Sequence, residues 1–274
     1  MIPAILLFAV FSLGAWTPGE TAYSFLDIPV SARTASMGGL SVLTGDPDIA
    51  LYNPARLRDM KRSQIELTNI LLFPGVSQQG FIYARKNLGL FYQTLGTKIE
   101  GRDEFGNLLN EEYAYQGSYA GAGISLKKME RMYWGIALKS VQEKRGEESS
   151  ASLAADIVLN YNTFLFSVRN LGPGADMGGK YSLPAALHAG GEERMGRFRF
   201  LYEVVYRREK RLIYAAGLEF KKESISFRAG LRSAEIADNF FGIGLNLKKM
   251  VFDYAFRPHP DLGPAHWITL RFPL

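Results

Sequence analysis

Few residues in this chain have types that could carry chemistry. His188, His259 and His266 are the three imidazoles among 274 residues, and there is no cysteine. That removes disulfides, thiolate metal sites and a thiol nucleophile. His259, Asp261 and His266 fall in and beside one connecting segment and have the types of a histidine-carboxylate metal site. Nothing in the pattern supplies the outer groups that orient such ligands, so these histidines are expected to bond locally. No Gly-x-Ser-x-Gly elbow marks a nucleophile and no Walker-type loop cradles a phosphate. The expectation is a protein that is not an enzyme, with no catalytic residue, bound metal or cofactor. Its 32 Lys and Arg against 27 Asp and Glu leave a net charge of +5 with no long basic run, which argues against a nucleic-acid partner.

What remains is charge placed at alternate positions among apolar residues. In "RFRFLYEVVY" Phe198, Phe200, Tyr202, Val204 and Tyr206 share one face, while Arg199 and Glu203 lie on the other. "SISFRAGLR" opposes Ile225, Phe227, Ala229 and Leu231 to Arg228 and Arg232, and "HWITLRF" opposes Ile268, Leu270 and Phe272 to Arg271. Glu219 and Asp253 take the charged face in the same way. A period of two is the signature of strands with chemically different faces.

That pattern runs from about residue 63 to the C-terminus and predicts fourteen strands, with the short seventh over 163–169. No helical segment separates them, so the sheet is expected to be an antiparallel meander. Even-numbered connections such as "RKN", "YNT" and "KKM" are short, whereas odd ones such as "NLGPGADMGGKYS" and "RPHPDLGPA" are mostly longer. Short turns at one rim and longer loops at the other are the layout of outer-membrane barrels, with the short turns periplasmic. Strand lengths fit the ~9 to 11 tilted residues that cross a bilayer. Fourteen strands enclose a lumen too wide for wall side chains alone to fill, so the charged face belongs inside and the oily face against lipid. On this assignment Phe227→Arg impairs assembly, and Arg228→Ala is mild by comparison.

"MIPAILLFAVFSLGA", residues 1–15, reads as a signal peptide with an atypical n-region. It is too short for a spanning helix. Between it and the first strand, residues 16–62 are too irregular for a strand and too apolar for a disordered tail. They are expected to enter the lumen from the periplasmic side as a hatch, ahead of a barrel over 63–274. Gly38 and Gly39 allow a sharp turn or close approach to the wall. Asn53 precedes Pro54, which favours an extended Asn53 able to cap a turn. Arg33, Asp46 and Asp48 are available to pair with the charges of the wall. Met37 and Ala55 complete the candidate hatch residues.

"FLDIPVSARTASMGGLSVLTGDPDIALYNPARL", "VRNLGPG" with "LPAALHAG", and "FDYAF" leading to "DLGPAHWITLRF" together resemble the PorV/PorQ family of outer-membrane barrels, itself similar to FadL-type transporters of hydrophobic compounds. The resemblance implies a transmembrane up-and-down barrel with a lumenal hatch, in the outer membrane of a diderm bacterium. For activity it implies type IX-like protein secretion or surface attachment through protein partners. The alternative it implies is a FadL-like channel for hydrophobic small molecules. The odd loops here are short for gripping a cargo domain.

Overall fold

The computed structural model describes residues 21–42, 45–102, 107–126, 131–177, 179–208, 212–233, 237–260 and 262–274. The expected signal peptide lies outside them.

The first seven strands are β1 (Gln64–Phe73), β2 (Val76–Arg85), β3 (Leu88–Arg102), β4 (Leu108–Ser125), β5 (Met132–Arg145), β6 (Glu148–Tyr161) and β7 (Phe164–Leu171). A two-residue pair follows, β8 (Ala175–Asp176) with β9 (Lys180–Tyr181). The last seven are β10 (Ala186–Met195), β11 (Phe198–Arg207), β12 (Leu212–Lys222), β13 (Ile225–Ser233), β14 (Ala237–Leu247), β15 (Met250–Arg257) and β16 (Ala265–Pro273). All but β8 and β9 join in one closed antiparallel barrel of fourteen strands, each paired to its neighbour in sequence, with β1 closing on β16 from Gln64↔Pro273 to Leu71↔His266. Closure satisfies every strand's backbone within the wall and leaves no edge. No helix among the described residues is long and apolar enough to cross a membrane.

Turn chemistry explains the meander. β2 to β3, β6 to β7 and β12 to β13 are joined through two residues, with Asn87, Asn162 and Glu223 at φ of 70°, 53° and 53°. Positive φ at such positions matches the twist of paired strands. The longest odd connection, between β7 and β10, contains the β8–β9 pair, which the period-two pattern does not reveal.

Side chains alternate as the sequence requires. Along β11 Phe198, Phe200, Tyr202, Val204 and Tyr206 are exposed, while Arg199, Leu201, Glu203 and Val205 are buried. Along β13 Phe227 and Leu231 are exposed and Arg228 is buried. An oily outer surface around a closed barrel is the arrangement that lipid covers.

Candidate functional site: the filled lumen

Residues 21–42 and 45–60 occupy the interior. Ala22 N–H donates to the Ser182 carbonyl at 3.0 Å in the connection between β7 and β10. At the other end Ser125 Oγ donates to the Ala55 carbonyl at 3.0 Å, and Asn87 N–H to that of Leu57 at 3.3 Å. The first contact lies at the rim of the odd connections and the last two at the rim of the even ones. The segment therefore runs from one rim of the lumen to the other.

Its local structure follows from short polar residues. Ser31 caps the helix Ala32–Ser36 by accepting from Thr34 N–H at 3.1 Å. Asp48 accepts from Ser31 Oγ at 2.7 Å and also from Thr34 Oγ1. Asp48 thus serves as a polar anchor within the segment instead of pairing with a wall arginine. Burial, reinforced by the charge of Asp46, raises its pKa. Tyr52, in the helix Ile49–Tyr52, accepts from Val30 N–H at 2.9 Å. Asn53 makes no capping hydrogen bond. Its side chain is taken by the wall, where Asn160 Nδ2 donates to Asn53 Oδ1 at 2.6 Å.

Six of the charged residues read from the sequence meet in one closed ring. Arg33 binds Asp46 at 2.5 Å and Glu219 at 2.8 Å. Asp46 also binds Arg271, which reaches Asp253 at 2.5 Å. Arg228 contacts Asp253 at 2.6 Å and Glu219 at 2.7 Å, completing the circuit. Three guanidinium groups alternate with three carboxylates, two from the segment and four from β12, β13, β15 and β16, and all six are buried. Burial works to raise the Asp46 pKa, but Arg271 and Arg33 outweigh it and hold the carboxyl at about 2.

Close approach to the wall depends on glycine. Gly38 adopts φ +82°, and a Cβ there would lie 2.8 Å from the Leu231 carbonyl oxygen. Gly39, at φ +76°, completes the turn, and the buried Met37 lies against β12. On the opposite wall a Cβ on Gly123 would stand 2.0 Å from the Ala50 carbonyl oxygen. Pro54 and Ala55 press on β5 nearby. Phe25 stacks on Tyr119 with ring centroids 6.1 Å apart, and the Arg169 guanidinium lies 5.0 Å from the Tyr52 ring centroid.

The remaining candidates lie elsewhere. Glu203 accepts from Ser41 N–H at 2.6 Å and pairs with His188 Nδ1 at 2.5 Å. Arg232 stands outside the ring, beside Gly39. His266 Nδ1 pairs with the Tyr254 hydroxyl at 2.8 Å, and His259 Nδ1 accepts from Leu262 N–H at 3.1 Å. Asp261 lies outside the described residues, among which no three metal-binding side chains cluster. Sequence reasoning passed over Glu66, Lys139, Asp156 and Arg169, although all four are charges on inward positions of alternating strands. Lys139 and Asp156 pair at 2.7 Å.

At the odd-connection rim a cavity of about 300 Å³ lies between the Asp27–Pro29 corner of the segment and the wall. A smaller one of about 40 Å³ adjoins it, lined in part by Lys139, Asp156 and Arg169. Asp27, Pro29, Arg207 and Arg232 border both.

Together these features define a closed fourteen-strand barrel whose lumen is filled by its own N-terminal segment. The fold is similar to those of several solved channels. The CymD monoaromatic hydrocarbon channel superposes with a TM-score of 0.66 at 12% identity, over 92% of this chain and 99% of that one. The Pseudomonas putida toluene transporter TodX gives 0.61 at 11% identity, over 88% and 96%. A Pseudomonas aeruginosa FadL homologue gives 0.59 at 8% identity, over 88% and 97%. No protein-family model and no curated protein sequence matches the chain.

Proposed function

We propose that this protein is an outer-membrane channel of a diderm bacterium for small, largely apolar molecules, with residues 21–60 as its hatch. The observation that carries this reading is the fold shared with the monoaromatic hydrocarbon channels over about nine-tenths of the chain. The rim cavity agrees with it, since Leu72, Phe73, Ile213, Phe240 and Trp267 give it an apolar wall. In this reading the odd rim is extracellular and the short turns are periplasmic.

The neighbours favour this small-molecule alternative over PorV/PorQ-type secretion, for which neither the geometry nor the comparisons speak. The test is uptake of a hydrophobic fluorescent probe, N-phenyl-1-naphthylamine, across a lipopolysaccharide-bearing outer membrane with and without the protein. Faster uptake with the protein is expected. Equal rates would count against a channel for apolar molecules.

A further inference from the structure

Three arginines and two aspartates border the rim cavity. Each aspartate has its own arginine: Arg207 pairs with Asp27 at 3.0 Å and Arg257 with Asp238 at 3.7 Å. Arg232 is the third cation. Among the described residues it makes no hydrogen bond or close ion pair, although the charges of Asp27, Glu203 and Asp238 act on it from further off, and it is half-buried at the end of β13 with its Nη1 3.0 Å from where a Cβ on Gly39 would stand. The cavity also borders Phe240 and Trp267, whose rings meet edge to face with centroids 6.5 Å apart. Trp267 is fixed in turn by donating Nε1–H to the Pro29 carbonyl at 2.9 Å.

An unpaired guanidinium and an aromatic wall within one cavity present two complementary surfaces to one ligand. We infer that the rim cavity binds a compact organic anion, a carboxylate on a single-ring body, with its charge on Arg232 and its ring against Phe240 and Trp267. This rests on the channel reading above and names the class of molecule that channel selects. A volume of about 300 Å³ leaves room for a single ring with a carboxylate, since an apolar cavity of about 150 Å³ already holds benzene. A guanidinium binds a carboxylate through two parallel N–H donors, stronger and more directional than neutral hydrogen bonds. A neutral hydrocarbon in the same place strips water from Arg232 and returns no partner, which disfavours its binding. The adjoining small cavity is lined by Arg169 and by Lys139 with its partner Asp156.

The test uses the full-length folded protein in detergent and equilibrium binding of benzoate, its neutral analogue benzamide, and toluene. Benzoate is expected to bind about tenfold or more tightly than either neutral ligand. Arg232→Gln removes that preference and Arg232→Lys keeps part of it, with heat-modifiable migration reporting that each variant is folded. Should Arg232→Gln fail to fold, the ratio of benzoate to benzamide affinity on the unaltered protein decides. Equal affinity for the two, or unchanged benzoate binding in folded Arg232→Gln, overturns the inference. Toluene binding tighter than benzoate also overturns it while leaving the channel reading in place. Binding of none of the three removes the inference, and the probe-uptake experiment then judges the channel reading separately.

Discussion

Along β12 to β16 the lumenal segment meets four wall charges and joins them in a ring through Arg33 and Asp46. Along β3 to β6 it meets glycine, alanine and aromatic rings, as where Ala50 presses on Gly123 and Phe25 stacks on Tyr119. The first flank holds by groups whose removal strands a buried partner, a loss much larger than the net value of the pair. The second adds to a few hydrogen bonds, such as Tyr23 N–H to Glu143 at 2.6 Å and Asn160 to Asn53 at 2.6 Å, a close fit of small groups whose sensitivity is to added volume. One segment is therefore fixed twice, with a different emphasis on each flank, and substitutions separate the two.

The largest effect is expected from Arg33→Ala. It leaves Asp46 and Glu219 each short of a partner inside the ring, at a cost of about 3 to 5 kcal/mol. Urea unfolding in detergent reads this as a lower midpoint, and a change under 1 kcal/mol would show that the ring holds little. Next comes the pair across β13. Phe227→Arg places a charge in lipid at about 2 to 4 kcal/mol. Arg228→Ala, expected from the sequence to be mild, breaks two ring contacts at 2.6 and 2.7 Å and should match or exceed it. A mild Arg228→Ala would return that residue to the status of a solvated lumenal charge.

Acid acts on the charged flank through Asp46. The Asp46 pKa lies at about 2, below its ordinary 3.8, so the stability it lends is complete above pH 4 and is lost as pH falls from about 4 through 2, on the order of 2 kcal/mol. Stability measured from pH 7 to 5 should show no loss from this group, and loosening already at pH 5 would contradict the pairing. Smallest is the glycine flank. Gly123→Ala forces the Ala50 backbone away at about 1 to 3 kcal/mol. Gly96→Ala, where an added methyl meets nothing within 4 Å, should stay within about 0.5 kcal/mol. Equal effects at both glycines would mean that the second flank is not held by shape.

The barrel was legible because alternation survives in nearly every strand, as in β11 and β13, and because two-residue turns punctuate them. The same alternation exposed Glu203, Glu219, Arg228, Arg232, Asp253 and Arg271 as inward charges. It could not show which of them meet, since ring closure depends on the barrel's curvature and on the depth at which Arg33 and Asp46 enter. For that reason Glu203 went to Ser41 and His188, and Arg232 was left beside Gly39. Asn53 was expected to cap a turn beside Pro54, yet a tertiary partner, Asn160, claimed its side chain. The rim-to-rim path had no local signature at all, because it is fixed by contacts such as Ala22 to Ser182, distant in sequence.

The central claim is that residues 21–60 seal a lumen whose wall stands without them, since strand pairing alone satisfies the barrel's backbone. Single-channel recording in planar bilayers tests it directly, comparing the intact protein with one lacking residues 21–60. The intact protein should be nearly silent and the deleted one should insert and conduct ions steadily, with Gly38→Val and Gly39→Val giving intermediate leakage. Large, stable conductance from the intact protein, unchanged by the deletion, would contradict the seal and identify an open pore.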